Sequence, residues 1–394
     1  MKVIDITEFY SERGGGVRSH LTTKMHVLGQ RGISSIIIAP GPYQETIEQG
    51  RGRMIRLAAS PVPYDPSYFL FTSPLKARSI IVKEQPDVVE IHSPYGAALS
   101  ALIAPRFPHG IRTFVWHSDF IETYMTQGPL QQLPSFLQQM IARPFWTTIR
   151  AIATRCDATF AASKKQVQKL QEQGVPRVVH LPFGVDRTVF NPYAKDPALR
   201  EQLLGPERKH AFLLIGVGRF AFEKRWDVVI DAFIQFRKRH EAVLVLIGDG
   251  PEQKSLKTQA AHHPDIHWMT FQRDRAYLAR LFASADALVH GCSVETFGLV
   301  LAEAISCALP LVVPNAGGAA EQAKKACAEL YTPGNSTDCA TALERLLLQP
   351  QEQLRNCALQ AAIDVYSLDD HFDRLLDIYC TLLSSKVSLR HSPS

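Results

Sequence analysis

The sequence contains 394 residues, of which 46% are hydrophobic and 21% are charged, with 23 glycines and 25 prolines. This length predicts two domains rather than one, and the composition excludes collagen-like, low-complexity and wholly disordered chains. No stretch approaches the roughly 18 consecutive apolar residues of a membrane-spanning helix, and the N-terminal segment MKVIDITEFY lacks the long apolar run of a signal peptide. We therefore expect a cytoplasmic protein.

The seven cysteines agree with this expectation. The cysteines are odd in number and form no CxxC pair, which favours small packed side chains over disulfides or zinc ligands.

Residues 1–190 contain 21 Lys and Arg against 14 Asp and Glu, whereas residues 191–394 contain 22 against 24. A basic N-terminal half suggests an anionic partner, and an ordinary solvated surface explains it equally well. No dense basic cluster interleaved with aromatic residues is present, so nucleic acid is not expected.

Short apolar runs recur along the chain, with amphipathic segments between them. Such runs are typical of buried parallel strands in a β-α-β series, so each half predicts a doubly wound α/β sheet. The predicted domains are residues 1–188 and 189–368, facing each other across a cleft and joined by a proline-containing loop. The predicted strands are residues 3–7, 35–40, 88–92, 113–117, 158–162 and 178–182, then 212–217, 243–247, 266–270, 287–290, 310–313 and 329–332.

Ligands of open α/β sheets bind beyond the carboxyl ends of the strands, so the residues that follow each strand are candidates. The first strand leads into Gly14, Gly15 and Gly16, at the start of a predicted helix. Glycines allow close backbone approach, and a helix N-terminus suits a phosphate. A plain tight turn is an equally good interpretation of these three residues.

Segment 136–155 carries apolar residues at helical spacing with arginines between them. A basic amphipathic helix of this kind can lie on an anionic membrane surface, although core packing is the more common role of such a stripe. Pro144 in the middle of the segment predicts a break in the helix.

The strand at 212–217 ends in Gly218 and Arg219, with Lys224 five residues after the arginine. Two cations at the carboxyl end of one strand can hold a diphosphate, because Arg offers a planar fork and Lys a point charge. Taken alone, this segment is also compatible with an ordinary basic loop.

Segment 291–304 follows the strand at 287–290 and turns into a helix. Thr296 is the predicted N-cap, so the helix would begin near Phe297. The first four backbone N–H groups of this helix would then have no partner within the helix and could bind an anion. They belong to Phe297, Gly298, Leu299 and Val300.

Glu295 and Glu303 flank the start of that helix. Eight helical positions span about 12 Å, which is too far for a carboxylate pair that shares a proton or flanks one glycosidic bond. The spacing suits two hydroxyl-bearing groups on either side of a diphosphate. Either glutamate alone is compatible with a solvated helix charge.

These segments resemble the retaining glycosyltransferases of family 4, which have the GT-B fold. The stretch ETFGLVLAE carries the family's E-x7-E signature, with Glu295 and Glu303 as its two acids. Further matches follow in chain order: Gly15 and Gly16, residues 184–192, Gly218 with Arg219 and Lys224, residues 248–251, Gly317 with Gly318 and Glu321, and residues 332–335. Cys292 departs from the family, which has a serine there preceded by a proline where this chain has Gly291.

The resemblance implies that a sugar is moved from a nucleotide diphosphate to an acceptor with retention, without a metal, a cofactor or a covalent nucleophile. Arg219 and Lys224 would stabilise the departing diphosphate and Glu303 would bind the ribose. Glu295, together with the amides of residues 297–300, would hold the donor sugar and phosphate. It also implies that C-terminal helices within 369–388 return to the first domain.

In the N-terminal domain, Gly15 and Gly16 match the family's glycine loop, which closes over the reacting centre. His117 matches the histidine that lies near the anomeric carbon; without the resemblance it would be read as a core or rim residue. The first half is most similar to bacterial α-mannosyltransferases that use GDP-mannose, and UDP-glucose is the alternative donor. The acceptor is expected to be a glycan or a lipid-linked group, at the inner face of the membrane. A GT-B epimerase or phosphorylase and a non-catalytic sugar-binding protein remain rival functions.

Overall fold

The structure is a computed structural model that describes residues 1–11, 15–128, 130–323 and 328–391. Gly14, and Cys327 as one of the seven cysteines, lie outside the described residues. The chain divides into two units. The first contains Met1–Ile121, Gln132–Pro182 and Asp370–Ser394, and the second contains Glu122–Gln131 and Phe183–Asp369.

The first unit is built on an eight-stranded sheet with the order β3-β4-β2-β1-β5-β6-β7-β8. All neighbouring strands are parallel except β3, which pairs antiparallel with β4. From β1 the chain builds the sheet outward through β2 to β3 and β4, and β5 then lies on the other side of β1. The loops that follow β1 and β5 therefore flank the point where the winding reverses. The strands are β1 Lys2–Ile6, β2 Ser34–Gly41, β3 Glu45–Gln49, β4 Gly52–Ala58, β5 Val88–Ile91, β6 Ile111–Trp116, β7 Ala158–Ala161 and β8 Val178–His180.

The second unit has a six-stranded, fully parallel sheet in the order β11-β10-β9-β12-β13-β14. This is the doubly wound order in which the reversal lies between the first and fourth strands of the sheet, here β9 and β12. The strands are β9 Phe212–Val217, β10 Ala242–Ile247, β11 Ile266–Met269, β12 Ala287–Val289, β13 Leu311–Pro314 and β14 Ala328–Tyr331.

Helices alternate with these strands along the chain. The final helix, α15, belongs to the first unit from Asp370 onwards. The helices are α1 Gly16–Gln30, α2 Pro74–Glu84, α3 Gly96–Ile103, α4 Phe120–Glu122, α5 Ser135–Thr154, α6 Lys164–Glu172, α7 Pro197–Leu204, α8 Trp226–Arg237, α9 Gln253–Gln259, α10 Arg275–Ser284, α11 Leu299–Ser306, α12 Gly317–Ala323, α13 Ser336–Leu347, α14 Gln351–Ala362 and α15 Leu368–His391.

Each of the twelve predicted strands overlaps an observed strand, with ends that agree within two residues. These strands form long apolar runs because helices cover both sheet faces; every residue of β6 and β10 is buried. The sequence analysis missed β3 and β4. Strand β3, with the sequence ETIEQ, is almost wholly exposed at the sheet edge, so it lacks the apolar run on which the prediction relied.

Two local predictions were wrong. Helix α5 continues through Pro144 without a break. Trp146, Ile149 and Ile152, which follow the proline, are buried, and their packing outweighs the one backbone hydrogen bond that is lost. Cys357 is disulfide-bonded, whereas a free thiol was expected there. Within the described residues, no helix combines the length and the apolar character needed to cross a membrane.

Candidate active site

The side chain of Trp226, the first residue of α8, holds the loop that follows β9, residues 218–225. The Trp226 Nε1–H donates to the backbone oxygen of Arg219 at 2.9 Å. At the end of the loop, Arg225 adopts a left-handed conformation, with φ 47°, as the cap of α8. The Arg219 guanidinium donates to Glu223 at 2.8 Å. The loop therefore presents Arg219 and Lys224 from one short, internally braced segment.

Lys224 joins this loop to the loop that follows β12, residues 290–298. Lys224 Nζ donates to Glu295 Oε2 at 2.7 Å. The two backbones also touch, since a Cβ on Gly291 would lie 2.4 Å from the Lys224 oxygen and 2.6 Å from the Arg225 oxygen. Because β9 and β12 are neighbours at the winding reversal, the sheet itself brings these two loops together.

The ion pair is maintained against the cost of burial. Burial by itself would raise the pKa of Glu295 and lower that of Lys224. Lys224 and then His290 reverse the shift of the Glu295 pKa, and Cys292 and then Glu295 reverse the shift of the Lys224 pKa. The net result is a lowered pKa for Glu295 and a raised pKa for Lys224. His290 Nε2 lies 3.4 Å from Glu295 Oε2, and burial lowers the pKa of that histidine. The carboxylate and ammonium are both charged at neutral pH.

The start of α11 differs from the predicted one. The helix begins at Leu299, and its cap is Gly298 with φ 83°, not Thr296. Phe297 therefore precedes the helix. A Cβ on Gly298 would sit 2.8 Å from Leu301 in addition to straining the backbone, which explains why glycine is needed at this turn.

Although α11 begins two residues later than predicted, the segment still offers backbone N–H groups that could bind an anion. The first amides bonded into the helix are those of Leu301 and Ala302, which both donate to the Gly298 oxygen. Within the described chain, the backbone N–H groups of residues 297–300 donate no hydrogen bond. These are the donors a helix N-terminus offers to an anion.

Glu303 lies one turn into α11 and is held by a different cation. Arg275, the first residue of α10, donates to the Glu303 carboxylate, and its guanidinium also lies 4.7 Å from the centre of the Phe190 ring. Glu303 is 4% exposed. Burial raises its pKa, and Arg275 offsets this only in part. The two acids of the E-x7-E pattern thus have separate partners.

Three predicted residues lie in the first unit. Gly15 precedes α1 with φ 127°, a conformation that favours glycine, and Gly16 begins the helix. His117 follows β6, where its Nε2 lies 2.6 Å from Nδ1 of His92, and its ring centre is 5.8 Å from that of His20 on α1. Burial lowers the pKa of His117, with His92 as the next cause.

The structure therefore collects the predicted residues into two groups, one per unit. Arg219, Lys224, Glu295 and residues 297–300 share the two adjoining loops of the second unit. Sequence reasoning missed Arg275 and His290, since an arginine at a helix start and a histidine at a strand end carry no pattern of their own.

Two clusters have side chains suited to a metal, and in each of them a lysine contacts a carboxylate. Nζ of Lys224 contacts Glu295 in one cluster, and Nζ of Lys24 contacts two carboxylates in the other. Burial raises the pKa of the Cys292 thiol to about 12, whereas a metal ligand must be a thiolate. Among the described residues, the clusters are His290, Cys292 and Glu295, and Asp5, Glu90 and His92.

Comparison with known families assigns this arrangement to a class. Residues 14–189 match the family model described as Glycosyltransferase Family 4, and residues 199–363 match the one described as Glycosyl transferases group 1. The two matches occupy the two halves of the chain in turn. The protein is a glycosyltransferase.

Curated relatives and solved structures place it more closely. It is 27% identical over 372 residues to the GDP-mannose-dependent alpha-(1-6)-phosphatidylinositol dimannoside mannosyltransferase of Mycobacterium tuberculosis, with 92% of each chain covered. It is 27% identical over 329 residues to a GDP-mannose-dependent alpha-mannosyltransferase of Corynebacterium glutamicum, covering 81% of this chain and 73% of that one. Sucrose-phosphate synthase of Thermosynechococcus elongatus has a TM-score of 0.82 at 18% identity, over 98% of this chain and 99% of that one. The chain therefore resembles the family 4 glycosyltransferases along most of its length and has the GT-B fold, as the sequence motifs predicted.

Proposed function

We propose that the protein transfers a hexose, with mannose favoured, from a nucleotide-diphosphate sugar to a lipid-linked or glycan acceptor, with retention of the anomeric configuration. The observation that carries this proposal is the junction of the loops after β9 and β12. There Lys224 contacts Glu295 at 2.7 Å. In the described part of the chain, the nearby backbone N–H groups at the start of α11 donate no hydrogen bond.

The positive groups at this junction complement the negative charge that develops during sugar transfer. When the anomeric bond breaks, negative charge accumulates on the departing diphosphate. Arg219, Lys224 and the amides of 297–300 would stabilise that charge because they are already in place before the reaction. Lys224 pairs with Glu295, so the resting site is close to neutral and a diphosphate would draw the lysine towards itself.

The two glutamates would recognise sugars on opposite sides of the diphosphate. Glu295 is ionised and beside the lysine, so its free lone pairs can accept from hydroxyl groups of the transferred sugar. Glu303 is buried next to the half-exposed Arg275 and would accept from the ribose hydroxyls. Gly15, Gly16 and His117 would serve the acceptor-side chemistry that the resemblance assigns to the first unit.

Retention is part of this proposal. Glu295 is engaged by Lys224, and we assign no carboxylate as a covalent nucleophile, so the acceptor would attack on the face that the diphosphate leaves. Proton NMR of the anomeric signal at early times tests this step. An inverted product would contradict it.

The donor is proposed as GDP-mannose, which the names of two curated relatives support; UDP-glucose is the alternative. Thermal unfolding with a panel of nucleotide sugars tests this choice, since a ligand at 100 times its Kd adds about 2.7 kcal/mol of stability. Release of free GDP that depends on an added acceptor would separate a transferase from an epimerase and from a binding protein. A panel without any shift or turnover would contradict the proposed function.

We propose that side chains, and no metal ion, supply the positive charge. Lys224 contacts Glu295, and the neighbouring Cys292 is a neutral thiol, so the local chemistry favours an ammonium over a metal ion. EDTA is expected to leave the turnover number unchanged. Inhibition that added Mg²⁺ relieves would contradict this proposal.

We propose that the first unit binds an anionic membrane, on the inner, cytoplasmic face of that membrane. On α5, Phe136 is 67% exposed and Met140 59% exposed, and Arg143 lies on the same helix side because steps of three and four residues return to one face. Apolar side chains flanked by a cation suit an anionic lipid surface. A lipid-linked acceptor would make this contact useful.

A further inference from the structure

A chain of hydrogen bonds runs across three neighbouring strands of the first unit and reaches His117. Asp5 lies in β1, His92 follows β5 and His117 follows β6, and these strands are adjacent in the sheet. Nε2 of His92 lies 2.8 Å from Oδ1 of Asp5, and Nδ1 of His92 lies 2.6 Å from Nε2 of His117. Asp5 and His92 are 0% and 1% exposed.

The surroundings of Asp5 fix the direction of this chain. Nζ of Lys24 lies 2.6 Å from the same Oδ1 atom, 2.7 Å from Glu90 Oε1 and 3.0 Å from the Tyr379 hydroxyl on α15. An ammonium only donates, so Oδ1 accepts from Lys24, and we take it to accept from the Nε2–H of His92 as well. A neutral imidazole protonated at Nε2 has Nδ1 as its acceptor. The proton of the 2.6 Å bond then belongs to Nε2 of His117.

We infer that Asp5 and His92 are positioning residues for His117. Asp5 sets the proton of His92, and His92 in turn holds the His117 ring by its Nε2–H and fixes its tautomer. This inference rests on the proposed function, because it deepens the role of His117 in sugar transfer. The fixed tautomer makes Nδ1 the acceptor nitrogen of His117, which is the form that can take a hydrogen bond from a sugar hydroxyl.

The other groups around His117 are compatible with a neutral, singly protonated ring. His20 packs between His117 and His371, with ring centres 5.8 and 5.3 Å away, and Nδ1 of His371 donates to the Pro182 oxygen at 2.7 Å. Burial is the main cause of the lowered pKa of His20 and of His371. Neutral His20 and His371 therefore add no positive charge beside His117.

The first test is spectroscopic and uses the wild-type protein. Long-range proton–nitrogen NMR of the full chain, labelled with 15N in its histidine rings, reports which nitrogen of each ring carries the proton. We expect the Nε2–H form for both His92 and His117. A proton on Nδ1 of His117, or on both nitrogens of His92, would overturn the inference even if the enzyme is active.

The second test uses kinetics with GDP-mannose and vesicles that contain phosphatidylinositol, followed by GDP release. The side-chain amide oxygen in His92→Asn can replace Nδ1 as an acceptor, whereas His92→Leu offers no polar atom. We expect His92→Leu to lower kcat by roughly 10- to 100-fold, the range for partners that orient a ligand histidine, with little change in KM. His92→Asn should recover part of that loss, and the exposed His109→Leu should have no effect.

These outcomes separate the inference from the proposed function. If wild-type protein releases GDP and His117→Ala does not, while His92→Leu is fully active, the function stands and the positioning role is wrong. If the wild-type protein has no turnover with GDP-mannose or UDP-glucose, the proposed function fails, and the NMR measurement still decides whether Asp5 and His92 fix the His117 tautomer. Should His92→Leu not fold, the same NMR measurement and His92→Asn carry the test.

Discussion

Lys224 and Glu295 are 71 positions apart in the sequence, yet Nζ of one lies 2.7 Å from Oε2 of the other. They meet because β9 and β12, which precede them, are neighbouring parallel strands at the reversal of the sheet. This contact joins the two loops, and we propose that a diphosphate and a sugar are held on the surface that they form.

Lys224→Ala should lower kcat by about 100- to 1000-fold, the range observed when one preorganised donor to a developing anion is removed. KM for the donor should change much less, since the lysine acts mainly on the departing charge. Steady-state kinetics with the donor identified by the panel measures both constants. Lys254→Ala, an exposed change on α9, is the matched control. A variant with wild-type kcat would remove Lys224 from this role.

The Lys224–Glu295 pair also predicts how stability depends on pH. The pKa of Glu295 is lowered from its ordinary value of 4.5, so the stabilisation from its charge is full above about pH 4.5 and is lost as the pH falls further. Lys224 has a raised pKa, so its contribution is full below its ordinary value of 10.5 and is lost at higher pH. Thermal unfolding of Glu295→Gln should show a constant deficit against wild type from pH 5 to 9 that shrinks in acid. A deficit that changes near pH 7 would contradict this pairing.

Glu303→Gln should weaken nucleotide binding without weakening the fold. A hydrogen bond to a charged group contributes about 1.5–3 kcal/mol, so the Kd for the nucleotide should rise by roughly tenfold or more. The ligand-free unfolding temperature should stay the same or rise, because burial already disfavours the charge and raises the pKa of Glu303. Calorimetry measures binding and stability together, with the exposed Glu352→Gln as the control. Unchanged affinity would argue against the ribose role.

Gly291→Ala should damage the site through the backbone alone. Its new Cβ would lie 2.4 Å from the Lys224 oxygen, so the loops after β9 and β12 must move apart. A displacement of about 1 Å can cost about 100-fold in rate, and we expect a loss of that size in kcat. Gly29→Ala on α1 is the control, since its Cβ would be no closer than 3.8 Å to a neighbour. Equal kcat values for the two variants would show that the junction tolerates the shift.

The double variant Phe136→Ser, Met140→Ser should lose retention on vesicles of phosphatidylcholine and phosphatidylinositol at low salt. Two exposed apolar side chains of α5 are removed, and the buried face of that helix is left intact, so the fold should persist. Flotation measures the bound fraction. Leu348→Ser, an 81% exposed position in the second unit, should retain wild-type binding. If wild-type protein itself fails to float, the membrane proposal is wrong.

The sequence alone was enough to predict the two sheets of parallel strands and to name Arg219, Lys224, Glu295 and Glu303 as candidate site residues. Buried parallel strands are continuous apolar runs, and the residues that follow them lie at one sheet edge, so both signals are local. The start of α11 was displaced by two residues because a left-handed Gly298 caps the helix, and Thr296 offered a more familiar cap. The edge strand β3 was missed because nothing buries it.

Only the tertiary structure decided which side chains are partners. Asp5, His92 and His117 are far apart in the chain, and only the pairing of β1, β5 and β6 places them in one line of hydrogen bonds. In the same way, the raised pKa of Glu303 depends on how deeply it is buried beside Arg275. Sequence patterns report which face of an element is apolar, whereas burial and charge pairing depend on distances across the sheet, which exist only after the strands have taken their order.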